Sequence, residues 1–130
     1  MIALDTSSLI AYLSGESGGD AEAVHIALEQ QQACLPPAVL AELLSEPRLP
    51  ARTAAAFRAL PLLPVTDGYW ERVGHLRAAV IAQGRKARLA DALIAQSCLD
   101  HDVPLITRDA VFRHFVRVRP LDLLLERGGR

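Results

Sequence analysis

Short apolar runs alternate with longer stretches of helical period, and this alternation is the strongest constraint on how the chain can fold. Ile2-Ala3-Leu4 reads as a first buried strand, closed by Asp5-Thr6-Ser7-Ser8, residues that cap helices well. A short helix through Leu9, Ile10 and Leu13 follows, then a loop over 14–19 broken by Gly15, Gly18 and Gly19. Residues 20–32 have the spacing of an amphipathic helix, with Ala21, Val24, Ala27 and Leu28 on one face. Ala33-Cys34-Leu35 reads as the second strand, and Pro37 suits the first position of a helix running to about Ser45. Pro47 and Pro50 end it and open another helix through Leu60. Leu62-Leu63, flanked by Pro61 and Pro64, reads as a third strand at a sheet edge.

A long helix is expected from Gly68 to Gln83, closed by Gly84, and another from Leu89 to His101. Pro104-Leu105-Ile106-Thr107 reads as the fourth strand, with a short helix from about Asp109. Val116-Arg117-Val118 is a candidate fifth strand, and Leu121 to Leu125 a short helix or docking segment. Strands joined through helices need crossover connections, so the pattern predicts an α/β fold with a mostly parallel sheet covered on both faces. In such sheets ligands bind beyond the C-terminal strand ends.

The 130 residues suit a single domain, 1–130, and a hydrophobic share of 51% is enough for a core. No apolar stretch approaches the roughly 20 residues of a membrane span, and the N-terminus does not read as a signal peptide. Cys34 and Cys98 lie in core-like settings without a CxxC pair, which suits a reducing cytoplasm. The net charge of −1 hides a gradient: residues 1–50 hold seven acids and one base. From Arg72 to Arg88 lie five bases (Arg72, Arg77, Arg85, Lys86 and Arg88) and no acid, a patch able to guide a polyanion or simply to face solvent.

Asp5 directly follows the first strand and Asp109 lies just past the fourth, so both project at the C-terminal sheet edge. Asp91 and Glu42 sit in aliphatic helical settings, Leu89-Ala90-Asp91-Ala92-Leu93-Ile94 and Val39-Leu40-Ala41-Glu42-Leu43-Leu44. A carboxylate is costly to bury unless it is paired, hydrogen-bonded or bound to a cation. Each acid also has a plain structural reading: a cap for Asp5 and Asp109, a helix-dipole partner for Asp91, a salt bridge for Glu42. Together at one edge they would repel each other, and a divalent cation relieves that repulsion. Mg²⁺ and Mn²⁺ prefer such oxygen ligands, and Thr6, Ser7 and Thr107 can orient the carboxylates by hydrogen bonds. His25, His75, His101 and His114 show no ligand spacing and read as surface or helix-end residues.

Leu4-Asp5-Thr6-Ser7, Ala41-Glu42-Leu43, Ala90-Asp91-Ala92-Leu93-Ile94-Ala95 and Leu105-Ile106-Thr107-Arg108-Asp109, in this order and spacing, resemble the PIN domain, and within it the VapC-type toxins of prokaryotic toxin–antitoxin pairs. The resemblance implies a three-layer α/β/α sandwich and a ribonuclease that cleaves RNA through metal-activated water. It implies Mg²⁺ (or Mn²⁺) as cofactor, with catalytic and metal-binding roles for Asp5, Glu42, Asp91 and Asp109. It also implies a homodimer and a VapB-type antitoxin whose C-terminal segment enters the active groove. The sequence departs from many relatives at Val111, where they carry an acid or His, so a fifth ligand is not assumed there.

On this reading Arg72, Arg77, Arg85, Lys86, Arg88, Arg108 and Arg113 hold the RNA backbone. A catalytically degenerate module that binds RNA or protein is the alternative. Phosphotransfer on an aspartate fits poorly, since Ser7 stands where the phosphatases need a second Asp, and Lys86, the single lysine, is on an interhelical loop. The Leu121 to Leu125 tail and helix 20–32 are expected either to line a partner surface or to pack in the core.

Overall fold

A computed structural model describes residues 1–126. Among these, three parallel strands, β1 (Ile2–Leu4), β2 (Ala33–Cys34) and β3 (Leu105–Ile106), form a sheet in the order β2-β1-β3. Ile2 pairs with Ala33 and Ala3 with Cys34 on one side, and Ala3 with Leu105 and Leu4 with Ile106 on the other. Seven α-helices accompany the sheet: α1 (Thr6–Leu13), α2 (Gly19–Glu29), α3 (Pro37–Leu44), α4 (Ala51–Ala59), α5 (Tyr69–Ala82), α6 (Leu89–His101) and α7 (Arg113–Val116). The mixed α/β architecture with its parallel sheet is the one the alternating pattern predicts.

The chain crosses from β1 to β2 in one direction, then back past β1 to β3. Right-handed crossovers therefore put α1 and α2 on one face and the α3–α6 segment on the other. α1 packs on α2 and α5 on α6, while α3 touches α1, α4 and α6. The reversal at β1 makes the C-terminal ends of β1 and β3 the switch point where such sheets bind ligands. The strands are buried on both faces, with Ala3, Leu4, Leu105 and Ile106 fully enclosed. They consequently read as unbroken apolar runs without alternation. Cys34 and Cys98 are both buried in this core, and burial pushes both thiols up, which keeps them unreactive at neutral pH.

Three expectations need correction. Leu62-Leu63 does not form a strand: Leu62 makes one parallel bridge with Leu35. There the Leu35 amide donates to Pro61 O and the Leu63 amide to Leu35 O, and the flanking prolines supply no further donors. Val116-Arg117-Val118 is not a strand either. Val116 ends α7, and the Val118 and Arg119 amides both donate to Phe115 O. A helical turn is what brings Phe112 and Phe115 inward together, with ring centroids 5.9 Å apart and both side chains fully buried. The three-residue spacing of two phenylalanines outweighs the two-residue spacing of two valines.

The place beside β3 goes to Leu123, which bridges Leu105 in parallel, with the Leu105 amide donating to Asp122 O. Leu121 and Leu123 are buried and so serve the core, while Leu124–Glu126 form a 3₁₀ turn with Leu125 exposed. Finally, the helix expected over 20–32 ends at Glu29. Gln31 adopts a left-handed conformation (φ 55), and the Gln32 amide donates back to Ala27 O, closing the helix. The long fifth helix keeps its expected glycine boundaries, with Gly68 at φ 82 and Gly84 at φ 75.

Candidate active site

The C-terminal ends of β1 and β3 carry Asp5 and Asp109, and α6 brings its first turn to the same edge. α6 enters β3 and so runs against the strands, which places Asp91, in its first turn, at this edge. α3 starts directly after β2 and carries Glu42 in its last turn, where the hydroxyl of Thr6, the neighbour of Asp5, reaches it. Asp5, Asp91 and Asp109 therefore belong to elements that begin or end on one side of the sheet, and Glu42 joins them through Thr6.

Asp5 occupies the N-cap position of α1, yet its carboxylate makes no capping bond. It is committed elsewhere: Ser7 Oγ (2.6 Å) and Thr107 Oγ1 (2.7 Å) both donate to Oδ2. With only 4% of its surface exposed, Asp5 is pushed above the usual carboxylate range by burial. The two hydroxyl bonds oppose that shift, and the charge of Glu42 adds to it. Asp91, 6% exposed, is likewise raised by burial, against the nearby Arg88 and helped by Asp109 and Asp5. The charges of Asp109 and Asp5 thus both bear on Asp91.

Glu42 is exposed, contrary to its aliphatic sequence setting: Val39 and Leu43 carry the buried face of α3. Thr6 Oγ1 donates to its Oε1 at 2.6 Å, which ties it to the residue after Asp5. Asp109 caps the following 3₁₀ turn (Ala110–Phe112), its Oδ1 accepting from the Val111 amide at 3.0 Å. Thr107 Oγ1, besides donating to Asp5, accepts from the Asp109 amide. Thr6, Ser7 and Thr107 thus all bond to the acids or their backbone.

The cation at this edge is Arg88, just before α6. Its Nε lies 3.2 Å from Asp91 Oδ2 and its Nη2 3.5 Å from Asp109 Oδ2. The guanidinium is held firmly protonated, chiefly by Asp91 and then by Asp109 and Glu42. The other basic residues divide by position. Arg72 pairs with Asp100 at the far end of α6 from Asp91, about 13 Å along the helix at its standard rise. Arg77 donates to Ala87 O, and Arg113 pairs with Glu126. Arg85 and Lys86 stand on the α5–α6 loop beside Arg88; Arg85 Nε is enclosed and has no hydrogen-bond partner among the described residues.

Arg108 belongs to a network that the sequence did not reveal. It chelates Asp20 (Nε 2.7 Å, Nη2 3.0 Å), which also accepts from Ser8 Oγ, and it reaches Glu16 and Ser17 O. Arg108 holds the Asp20 carboxyl down at about 2. Gly18 (φ 141) lets the loop close over this group: a Cβ there would come within 2.8 Å of Asp20 Oδ1 and 3.3 Å of Arg108 Nη2. Three of the four histidines bond outside the acidic edge, His25 to Tyr12 and Glu29, His101 to Pro64 O and His114 to Lys86 O.

A parallel three-layer α/β domain with acids converging at its switch point defines the class. The particular family follows from direct comparison: the chain belongs to the PIN domain family, which it matches over residues 2–118. No curated protein matches it. Several solved structures share the fold, three of which follow. VapBC2 from Rickettsia felis, bound to a DNA fragment from its promoter, matches at 19% identity and a TM-score of 0.72, covering 95% of this chain and 97% of that one. VapBC-5 from Mycobacterium tuberculosis, of the VapBC family of toxin–antitoxin systems, matches at 22% and 0.63, covering 94% and 95%. FitAcB from Neisseria gonorrhoeae matches at 17% and 0.68, covering 95% and 96%.

Proposed function

We propose that the chain is a divalent-metal-dependent endoribonuclease and the toxin of a toxin–antitoxin pair. The observation that most supports this is the set Asp5, Glu42, Asp91 and Asp109 at one sheet edge of a PIN-domain chain, with burial raising the two most enclosed members. The donor chemistry fits Mg²⁺ or Mn²⁺: hard carboxylate oxygens, oriented by hydroxyls, that already draw in a guanidinium as a stand-in cation. Among the described residues no three or more His, Cys, Asp or Glu are gathered as a ready cage. We assign the holding of the cation to Asp5 and Asp91, with Glu42 and Asp109 completing the set. When bound, such an ion neutralises charge building on a scissile phosphate and acidifies water.

The chain's own groups do the rest. Ser7 and Thr107 fix one oxygen of Asp5, and Thr6 holds Glu42 so that its carboxylate faces the same edge. Glu42 and Asp109, the more exposed pair, orient the attacking water. Arg85, Lys86 and Arg88, next to Asp91 in sequence, are assigned to the RNA backbone, where phosphate contacts position the substrate.

Two neighbours in fold are VapBC proteins, one of them described as a member of a family of toxin–antitoxin systems, which supports a VapB-type partner for this chain; the homodimer is part of the same proposal. A groove of about 520 Å³ between α1, α3 and α4, lined by Ile10, Leu13, Leu43, Leu49 and Phe57 and rimmed by Glu42, suits an antitoxin segment. The decisive experiment is incubation with total RNA, with and without Mg²⁺ or Mn²⁺, with mapping of the cut ends. Cleavage is expected only with the metal, and Asp5→Asn or Asp91→Asn should abolish it with circular dichroism unchanged. Full cleavage by either variant removes the assignment, and an inert wild-type chain that still binds RNA identifies a degenerate module.

A further inference from the structure

We infer that Arg88 is a tethered counter-ion that sets how readily the acidic edge takes a divalent cation, and that it passes to substrate phosphate once the cation has displaced it. The inference rests on the metal-dependent reading above. Its basis is the double contact of one guanidinium with two carboxylates from different elements, Asp91 on α6 and Asp109 after β3. Among the described residues no other cationic side chain pairs with Asp5, Glu42, Asp91 or Asp109. The same oxygen on each partner, Oδ2, faces the guanidinium, so an ion taking those oxygens has to move Arg88 away.

The displacement is feasible because the Arg88 side chain is 75% exposed, and an exposed ion pair holds weakly. Arg108 on Asp20 offers the contrast within the same molecule: it clamps one carboxylate with two bonds of 2.7 and 3.0 Å, and its own side chain is only 32% exposed. One pair is built to stay and the other to exchange. Once released, the planar fork of Arg88 remains tethered beside the ion, in reach of a phosphodiester and flanked by Arg85 and Lys86. The charge that resists the ion before substrate arrives would then bind the substrate.

Direct Mn²⁺ titration of the full chain without RNA, followed by water-proton relaxation, tests this. At low salt Arg88→Gln should bind Mn²⁺ about fivefold more tightly than the wild type, by relief of a repulsion that falls with distance and ionic strength. Arg88→Lys keeps the charge and should stay near the wild-type affinity. The gain in Arg88→Gln should shrink as salt is raised. Equal or weaker Mn²⁺ binding by Arg88→Gln, with the wild type binding, overturns the counter-ion role alone. Absence of binding in the wild type and in both variants overturns the metal-dependent reading along with it.

Discussion

Asp5 carries an electrostatic conflict: it is a nearly enclosed carboxylate with hydroxyl partners and no cation paired to it among the described residues. Its raised pKa means that, at neutral pH, the folded state suffers from this charge more than the unfolded chain does. Asp5→Asn keeps an oxygen to accept from Ser7 and Thr107 and removes the charge. It should therefore raise the melting temperature by a few degrees at pH 7 while removing cleavage, and thermal melts in metal-free buffer check this. A lowered melting temperature would mean that the hydroxyl bonds outweigh the burial of charge. Asp5 and Asp91 were legible in the sequence because apolar neighbours flank them in elements of clear period. The exposure of Glu42 was not, since its neighbours are aliphatic whichever way α3 turns. Nor was the division of the arginines, because the partners of Arg72, Arg108 and Arg113 lie 28, 88 and 13 residues away.

At the scale of elements, long helices were readable from spacing and glycines, whereas the outer positions of the sheet were not. β1 and β3 are only three and two residues long, and a single bridge occupies each flank, at Leu62 and at Leu123. Elements that short are fixed by tertiary contacts and leave little local pattern. The Leu123 bridge makes a specific forecast: Leu123→Ala should cost about 2–3 kcal/mol, as for a buried leucine truncated in a core, read from urea unfolding. The Arg108–Asp20 clamp makes another. It joins the start of α2 to the residue between Thr107 and Asp109, so it braces the segment that supports Asp5. Asp20→Ala leaves Arg108 with Glu16 and Ser17 O alone and takes the acceptor from the buried Ser8 hydroxyl; it should cost about 2 kcal/mol, less than breaking a fully buried pair because Arg108 is partly exposed. Urea unfolding measures this too, and a loss below about 0.5 kcal/mol would place the pair among ordinary surface ion pairs.

Taken as a whole, the molecule holds two groups of acids whose effects on stability run in opposite directions with pH. Asp5 and Asp91 have raised folded values, so their charge penalty is absent below the unfolded value of 3.8 and grows as pH rises through the folded value. Asp20, held at about 2 by Arg108, and Asp100, lowered by Arg72, behave in the reverse sense. Their stabilisation is complete above 3.8 and disappears as pH falls toward 2. Stability should therefore rise as pH is lowered from neutrality toward about 4, then fall steeply below it, with the turning point near the ordinary carboxylate value. A bound dication reverses the first limb, because it removes the cost of ionised Asp5 and Asp91 and binds the folded state alone. At 100 times its dissociation constant it adds about 2.7 kcal/mol, so Mn²⁺ should raise the melting temperature strongly at pH 7 and hardly at all at pH 4. The Asp5→Asn and Asp91→Asn double variant should lose both the metal-free rise and the Mn²⁺ effect while keeping the acid-side fall, since the clamp on Asp20 is untouched. A Mn²⁺ effect retained by that variant would locate the ion elsewhere on the chain.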